Sequence, residues 1–465
     1  MTIPVSPALG DPSTLRRVHI VGIGGAGMSA IATVLRAMGH EVSGSDLRES
    51  GVTERLQSLG IAVSFGHDAA NVRGADLVTL STAVRSDNPE VVEARERGIP
   101  VMARAETLAA VAMLRRCIAV AGTHGKTTTA SMLSLILVEA GMRPSFLIGG
   151  DVNEIGTNAV WDTGEWIVVE ADESDGTFLH LVPEIAVVTN VEPDHLDHYG
   201  SFEAVRAAFR TFLDSAGRSV VGADDAEALV IGRAAGAELV GVSDDADYTI
   251  ASPVLGRSSV AFELRGPDGS IVTPVQVAVP GLHNAKNAAV ATVTALAAGA
   301  PPEAAARALA RFGGVARRFE FRGELGGVTY VDDYAHLPTE VRAALAAARN
   351  GDWSRVVAVF QPHRYSRTAD VGEQFGDAFE DADVVVVTDV YGAGEAPVPG
   401  VSGRLVADAV RRGRPDAELH YLASRTELAG AVAGLLRPGD LCLTLGAGDL
   451  TSLPDELMAV GGAET

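Results

Sequence analysis

The stretch Val120–Thr129, VAGTHGKTTT, constrains this chain more than any other. An apolar run, Cys117–Ala121, leads into it at the length of a buried parallel strand. Thr127–Ala140 leaves it as a helix packed on a sheet, carrying Met132, Leu133, Leu135, Ile136, Leu137 and Val138 before a stop at Gly141. Strand, glycine loop with Lys-Thr, and helix form the geometry that holds a nucleotide triphosphate. Gly122 and Gly125 let backbone N–H groups approach phosphate oxygens, and the helix N-terminus adds partial positive charge. Lys126 reaches the terminal phosphates, and the Thr127 hydroxyl can ligate Mg²⁺. The general phosphate-loop pattern places a glycine six residues before the lysine; here Val120 stands there.

Composition sharpens that reading. Of 37 basic residues only Lys126 and Lys286 are lysines. Where a surface charge suffices this chain uses Arg, and a compact ammonium is kept where it must sit among phosphates. The net charge of −23 argues against a nucleic-acid partner. No stretch reads as a membrane span, and Met1–Thr14, with Pro4, Pro7 and Pro12, reads as a disordered tail rather than a signal peptide, which predicts a cytoplasmic protein. Cys117 and Cys442 lie in apolar strand-like runs and read as buried free thiols. At 465 residues the length suggests about three domains.

In chain order, Arg17–Ile23 reads as a strand, Met28–Met38 as a helix and Glu41–Gly44 as a second strand, with GIGGAGM between the first two. Its Gly22, Gly24, Gly25 and Gly27 fit a diphosphate or nucleotide at a helix N-terminus, and Asp46 stands near where a ribose-binding acid is expected. Ser81 and Thr82, ending a strand over Leu77–Ser81, either face a ligand or are ordinary strand-end hydroxyls. Ile99–Met102 is a further strand, and the first boundary falls near Leu114–Arg116.

After the phosphate loop, Glu165–Ala171 ends in EADESD. Glu170, Asp172, Glu173 and Asp175 repel one another unless a cation sits among them, and Mg²⁺ suits their oxygens. Ile185–Asn190 leads into EPDHLDH, which places Asp194, His195, Asp197 and His198 past a strand's C-terminal edge, where open α/β sheets bind ligands. His195 is either a ligand or a loop histidine. A hairpin follows around Pro267-Asp268-Gly269, then a helix from about Asn284 to Ala298. Asn284 is either a helix cap or, with Asn287 on the same face, a base contact. Phe312–Arg322 reads as a glycine-hinged basic linker and the second boundary, from which Arg317 and Arg318 reach either a phosphate or solvent.

The last part alternates strands (Val328–Val331, Val356–Phe360, Val384–Val390, Glu418–Leu422, Leu441–Leu445) with helices. DDYAHLPTE, FQPHRYSRT and YGAGE end three of those strands, and Arg364 and Arg367, three apart, suit bidentate carboxylate recognition.

GIGGAGM, GTHGKTTT, EADESD, EPDHLD, HNAKNA, ARRF, DDYAH and FQPHRYSRT, in that order across nearly the whole chain, resemble the motifs of the Mur ligases, ATP-dependent ligases of peptidoglycan precursor synthesis. The resemblance implies an α/β chain of three domains. A Rossmann-like domain over 15–114 would bind a UDP-sugar through Gly22, Gly24, Gly25, Gly27, Asp46, Ser81 and Thr82. A central phosphate-loop ATPase-like parallel sheet over 115–315 would bind ATP through Gly122, Thr123, His124, Gly125, Lys126, Thr127, Thr128, Asn284, Asn287 and Arg317. A second Rossmann-like domain over 316–465 would close to bring the amino acid. One or two Mg²⁺ would be held by Thr127, Glu170 and His195, while Tyr334, His336, Arg364 and Arg367 would shape the carboxylate and amino-acid site. Lys126, His195 and His336 are the implied catalytic residues. The implied reaction joins L-alanine to the carboxylate of UDP-N-acetylmuramate through an acyl phosphate, in a monomer or weak homodimer, with His336 or His363 managing the ammonium proton.

Two departures stand out. Leu337 replaces a second histidine often found in related sequences. Phe202–Leu213 has Arg206 and Arg210 but no lysine to carry the carbamate with which some siblings bridge two metals. Three rival readings are a sibling ligase adding a preformed peptide, a nicotinamide-dependent oxidoreductase built on GIGGAGM, and a nucleotide-binding regulator without catalysis. The last two leave the acidic strand ends or the HisArgTyrSerArg cluster unexplained.

Overall fold

A computed structural model of the chain describes residues 16–81 and 83–462. The tail expected over 1–14 and Thr82 lie outside the described residues. Two compact units emerge. The first runs to Ala251 and takes in Glu263–Pro274 and Lys286–Leu309; the second comprises Ser252–Phe262, Val275–Ala285 and everything from Ala310.

The first unit holds two parallel sheets. β1 (Arg17–Val21), β2 (Glu41–Asp46), β3 (Ala62–Phe65), β4 (Leu77–Leu80) and β5 (Val101–Ala103) pair in the order β3-β2-β1-β4-β5, all parallel. The central sheet begins with β6 (Arg116–Ala121), β7 (Ser145–Val152), β8 (Thr157–Val160), β9 (Trp166–Glu170), β10 (Ile185–Val188), β11 (Arg218–Gly222), β12 (Glu238–Gly241) and β13 (Tyr248–Leu255). Their order is β8-β7-β9-β6-β10-β11-β12-β13, parallel except for the β7–β8 pair. The expected boundary near Leu114–Arg116 therefore separates two sheets of one unit. They form one unit because their cores are continuous: Val18, Ile31 and Leu108 of the first sheet's layer belong to the same buried cluster as Val169, Phe178 and Phe209 of the central one.

Helix Lys126–Glu139 is buried at every position from Thr128 to Leu137. It packs on β6, β7 and β9, which explains why its sequence is apolar all round rather than striped. β14 (Val260–Arg265) and β15 (Ile271–Val277) form the predicted hairpin strands; the Gly266 N–H donates to Ser270 O at 2.9 Å, and Gly269 sits at φ +76°.

In the second unit β16 (Glu320–Leu325), β17 (Val328–Asp333), β18 (Arg355–Phe360), β19 (Val384–Val387), β20 (Glu418–Tyr421) and β21 (Asp440–Leu445) pair in the order β16-β17-β21-β18-β19-β20. All neighbours are parallel except β16 and β17. Along β18, Ala358 and Phe360 enter one core and Val357 and Val359 another. Both faces of the sheet are covered, so its strands read as unbroken apolar runs. One expectation is corrected. Phe312–Arg322 is not a linker throughout: from Glu320 it is the edge strand β16, whose charged residues suit an edge. β19 also stops at Val387, short of the expected Val390.

Candidate active site

The phosphate loop follows β6, and β9 and β10 flank β6, so three neighbouring strands end together beneath it. Gly125 is the N-cap of the following helix at φ +79° with no side-chain cap. A Cβ there would lie 2.5 Å from Asn287 Oδ1, so the loop leaves no room for a side chain, and Asn287 stands directly against it. Gly122 sits at φ +131°, where a Cβ would overlap Thr189 Oγ1. The loop is clamped from β10: His124 N–H donates to Asn190 Oδ1 at 2.7 Å, Asn190 Nδ2 and Thr189 Oγ1 both donate to His124 O, and Glu192 N–H donates to Thr123 Oγ1. Thr128 is buried in the first helical turn.

The acids at the end of β9 divide their partners. Lys126 Nζ donates to Gly122 O at 2.6 Å and to Glu173 Oε1 at 2.8 Å. Arg104 Nη2 reaches Asp175 at 3.0 Å and Asp172 at 3.3 Å. Cations do sit among these acids, as their crowding requires, but for three of the four they are the protein's own Lys126 and Arg104. Glu170 is the exception: its oxygens accept from Thr127 Oγ1 at 2.9 Å and Gly149 N–H at 2.6 Å, and among the described residues it has no ion-pair partner. A carboxylate without an ion-pair partner, touching the loop threonine, is a hard-oxygen pair of the kind Mg²⁺ takes beside phosphates, so these residues fit the ion. His195, in the left-handed region at φ +55°, lies 3.2 Å from Asp194 and 3.8 Å from Glu173. Among the described residues no three His, Cys, Asp or Glu side chains gather closely enough to hold a metal by themselves. Burial pushes the Glu173 carboxyl up to about 7 against the pull of Lys126. Burial alone would lower the Lys126 ammonium, but Glu173 and Asp172 hold it above its ordinary value. Lys286 is paired with Asp224 at 3.1 Å.

The first glycine loop joins β1 to helix Ala26–Ala37, whose N-cap Gly25 offers no side chain. Gly22 takes φ +78° with Ser81 packed beside it. The Gly24 N–H donates to Asp46 Oδ2 at 2.8 Å, so Asp46 braces the loop as well as facing its mouth. Behind Asp46, fully buried Glu90 accepts from Ser45 Oγ at 2.6 Å and Asn71 Nδ2 at 2.5 Å and lies 3.2 Å from His67. Burial by itself would raise that carboxyl, yet its hydrogen bonds, from His19 and Ser45 foremost, hold it down to about 2.

In the second unit the loops after β17, β18, β19 and β21 meet at one sheet edge. Tyr334 lies under two guanidiniums, Arg317 at 4.8 Å and Arg318 at 5.0 Å from its ring centre. Arg317 also donates to Gly446 O at 2.7 Å. His336 Nδ1 is 3.0 Å from Tyr334 O and 3.3 Å from Glu340. His363 packs edge-on to His336, stacks on Tyr391 and turns Nδ1 toward Arg367 Nη1 at 3.2 Å. Burial and the neighbouring His336 and arginines push the His363 imidazole down to about 3. Arg364 sits at φ +67°, a strained backbone for a residue with a Cβ, and its guanidinium makes no hydrogen bond among the described residues. Asn284 is no N-cap acceptor: its Nδ2 donates to Pro280 O at 2.7 Å. Leu337 is buried, with its backbone N–H on Glu340; it packs in the core.

Comparison with known proteins puts a family on this arrangement. Three family descriptions match in chain order: Mur ligase family, catalytic domain, over 17–116; Mur ligase middle domain over 120–295; and Mur ligase, glutamate ligase domain, over 317–448. A UDP-N-acetylmuramate–L-alanine ligase of Saccharopolyspora erythraea is 49% identical, covering 98% of this chain and 95% of that protein. The chain belongs to the Mur ligase family. A protein of the same name from Rhizobium meliloti is 44% identical over 97% of this chain and 99% of its own. Among solved structures, a UDP-N-acetylmuramate-alanine ligase from Thermotoga maritima superposes with a TM-score of 0.82 at 29% identity, over 97% of this chain and all of that one. A murein peptide ligase from Psychrobacter arcticus gives 0.69 at 25% identity, over 96% and 99%.

As a Mur ligase, this chain brings together Gly122–Thr127, Glu170 and Asn287 in its first unit, and Tyr334, His336, Arg364 and Arg367 with His363 in its second. His195 stands against Asp194 and Glu173. Arg104 and Asn190 carry structure that motif reading passes over, while Glu340 and Tyr391 lie within DDYAHLPTE and YGAGE, whose individual residues it leaves without roles. No helix among the described residues is long and apolar enough to cross a membrane.

Proposed function

We propose that this Mur ligase joins L-alanine to the lactyl carboxylate of UDP-N-acetylmuramate, consuming ATP, in the cytoplasm. The observation that carries the reading is the pairing of an ATP phosphate loop with an arginine–histidine carboxylate site after β17 and β18, in a chain nearly half identical to ligases of that name. An amide cannot form from a carboxylate until its oxygen becomes a good leaving group. The carboxylate attacks the γ-phosphoryl of ATP, giving an acyl phosphate and ADP. Lys126, released from Glu173, follows the charge of the transferring group. Glu170 and Thr127, with His195, would hold Mg²⁺, which neutralises phosphate charge. Arg364 receives a carboxylate, and Tyr334 is fixed beside it by two guanidiniums.

The amine of L-alanine then attacks the acyl carbon, and phosphate leaves. The two histidines divide the proton work by their neighbours. Tyr334 O and Glu340 only accept, so His336 carries a proton on Nδ1. A guanidinium only donates, so His363 accepts at Nδ1, carries its proton on Nε2 and stays neutral. His336 takes the ammonium proton. Mass spectrometry of the product tests the reading: incubation with ATP, Mg²⁺, UDP-N-acetylmuramate and L-alanine should add one alanyl residue to the UDP-sugar. Unchanged UDP-sugar with alanine, but growth when a peptide is offered, would make this chain the peptide-adding sibling.

A further inference from the structure

Arg104 reaches from the start of the helix that follows the first glycine loop to the acidic turn after β9, whose Glu173 holds Lys126. It opens helix Arg104–Ala112 directly after β5, and that helix packs on the turn Thr177–His180 of the central layer. One end of its guanidinium is committed. Nη2 faces three acceptors, Asp175 Oδ2 at 3.0 Å, Asp172 Oδ2 at 3.3 Å and Thr177 Oγ1 at 3.3 Å. Two N–H bonds cannot satisfy three acceptors, and these distances are long for charge-assisted hydrogen bonds. The hold is therefore loose. The other end lies on Gly27, in the first turn of helix Ala26–Ala37 just after the first glycine loop: a Cβ there would come within 2.8 Å of Nη1. Nη1 has no protein acceptor among the described residues, and its N–H groups face the loop that would carry the sugar nucleotide's diphosphate.

The committed end leads straight to the phosphate loop. Asp172 adjoins Glu173, which holds Lys126 at 2.8 Å. The turn is pinned internally by Ser174 N–H on Asp172 and Thr177 N–H on Asp175. The charges form a line: first glycine loop, Arg104, Asp172 with Asp175, Glu173, Lys126.

We infer that Arg104 is a positioning residue through which the UDP-sugar and ATP sites sense each other. This rests on the proposed function, which puts a diphosphate on the first glycine loop. An oxygen of that diphosphate takes the Nη1 end, draws the guanidinium off Asp172 and Asp175, and slackens the turn by which Glu173 detains Lys126. Lys126 then turns to the ATP phosphates. UDP-sugar binding tightens ATP binding, and by thermodynamic reciprocity ATP tightens the UDP-sugar.

Calorimetric titration of the full chain with a non-hydrolysable ATP analogue and Mg²⁺, with and without saturating UDP-N-acetylmuramate and without alanine, tests this. The wild type should bind the analogue roughly fivefold or more tightly when the UDP-sugar is present. Arg104→Ala and Arg104→Lys should both bring that ratio to near one. The lysine variant keeps the positive charge beside the acids but cannot span from Gly27 to both of them, so it stands in if the alanine variant fails to fold. Arg55→Ala is the control, because Arg55 also joins the two layers, through Asp151 at 3.0 Å, yet touches neither loop; it should keep the wild-type ratio. A wild-type ratio near one, an undiminished ratio in Arg104→Lys, or an equal loss in Arg55→Ala would each overturn the inference. Failure of the wild type to bind UDP-N-acetylmuramate at all would instead refute the proposed function.

Discussion

Lys126 and Glu173 hold each other in a buried pair, and each owes its ionisation to the other. The Glu173 carboxyl is pushed up to about 7, first by burial. The folded protein thus binds this proton more tightly than the unfolded chain, and the group's contribution to stability falls as pH rises from its ordinary value toward 7. Removing the lysine takes away the one interaction that favours the charged form most. Lys126→Ala should therefore lower the melting temperature more at pH 8.5 than at pH 6, and adding Glu173→Gln should remove that difference. Turnover in Lys126→Ala should fall to about one hundredth of wild type or less at either pH. Equal destabilisation at the two pH values would show that the pair is not coupled as its geometry implies. Similar logic separates the two histidines of the second unit, where the partner of Nδ1, not the ring itself, decides which nitrogen carries the proton.

At the scale of elements, the glycines of the phosphate loop are structural requirements as well as openings for phosphate. Gly122→Ala would force a Cβ into Thr189 and impose φ +131° on an L residue. It should cost at least about 1–3 kcal/mol by chemical denaturation and should also weaken nucleotide binding; a variant as stable as wild type would mean the loop can shift away from β10. The strands bearing the motifs were legible because parallel sheets covered on both faces use unbroken apolar runs, as in Val356–Phe360 and Val384–Val387. The helix after Lys126 was legible from its flanking glycines. What was hidden has a common cause. Glu320–Leu325 carries an edge strand's charges, which read as a linker. Arg104 and Asn190 act through neighbours distant in sequence, and no local spacing announces such contacts. The tautomers of His336 and His363 depend on Glu340 and Arg367, which only the folded loops bring beside them. His195 was legible as a strand-end residue, but not its place against Glu173.

At the scale of the whole molecule, the chemistry divides between the chain's two units. One carries the phosphate loop and the first glycine loop, the other the arginine–histidine cluster after β17 and β18. An acyl phosphate is useful only if the amine is present to take it, so ATP consumption should depend on every substrate at once. The most direct measurement is phosphate release by the purified protein with ATP and Mg²⁺, adding UDP-N-acetylmuramate and L-alanine singly and together. Release that requires both, and disappears in Lys126→Ala, is the predicted result. Release from ATP alone, or release with the UDP-sugar that is indifferent to alanine, would contradict the account.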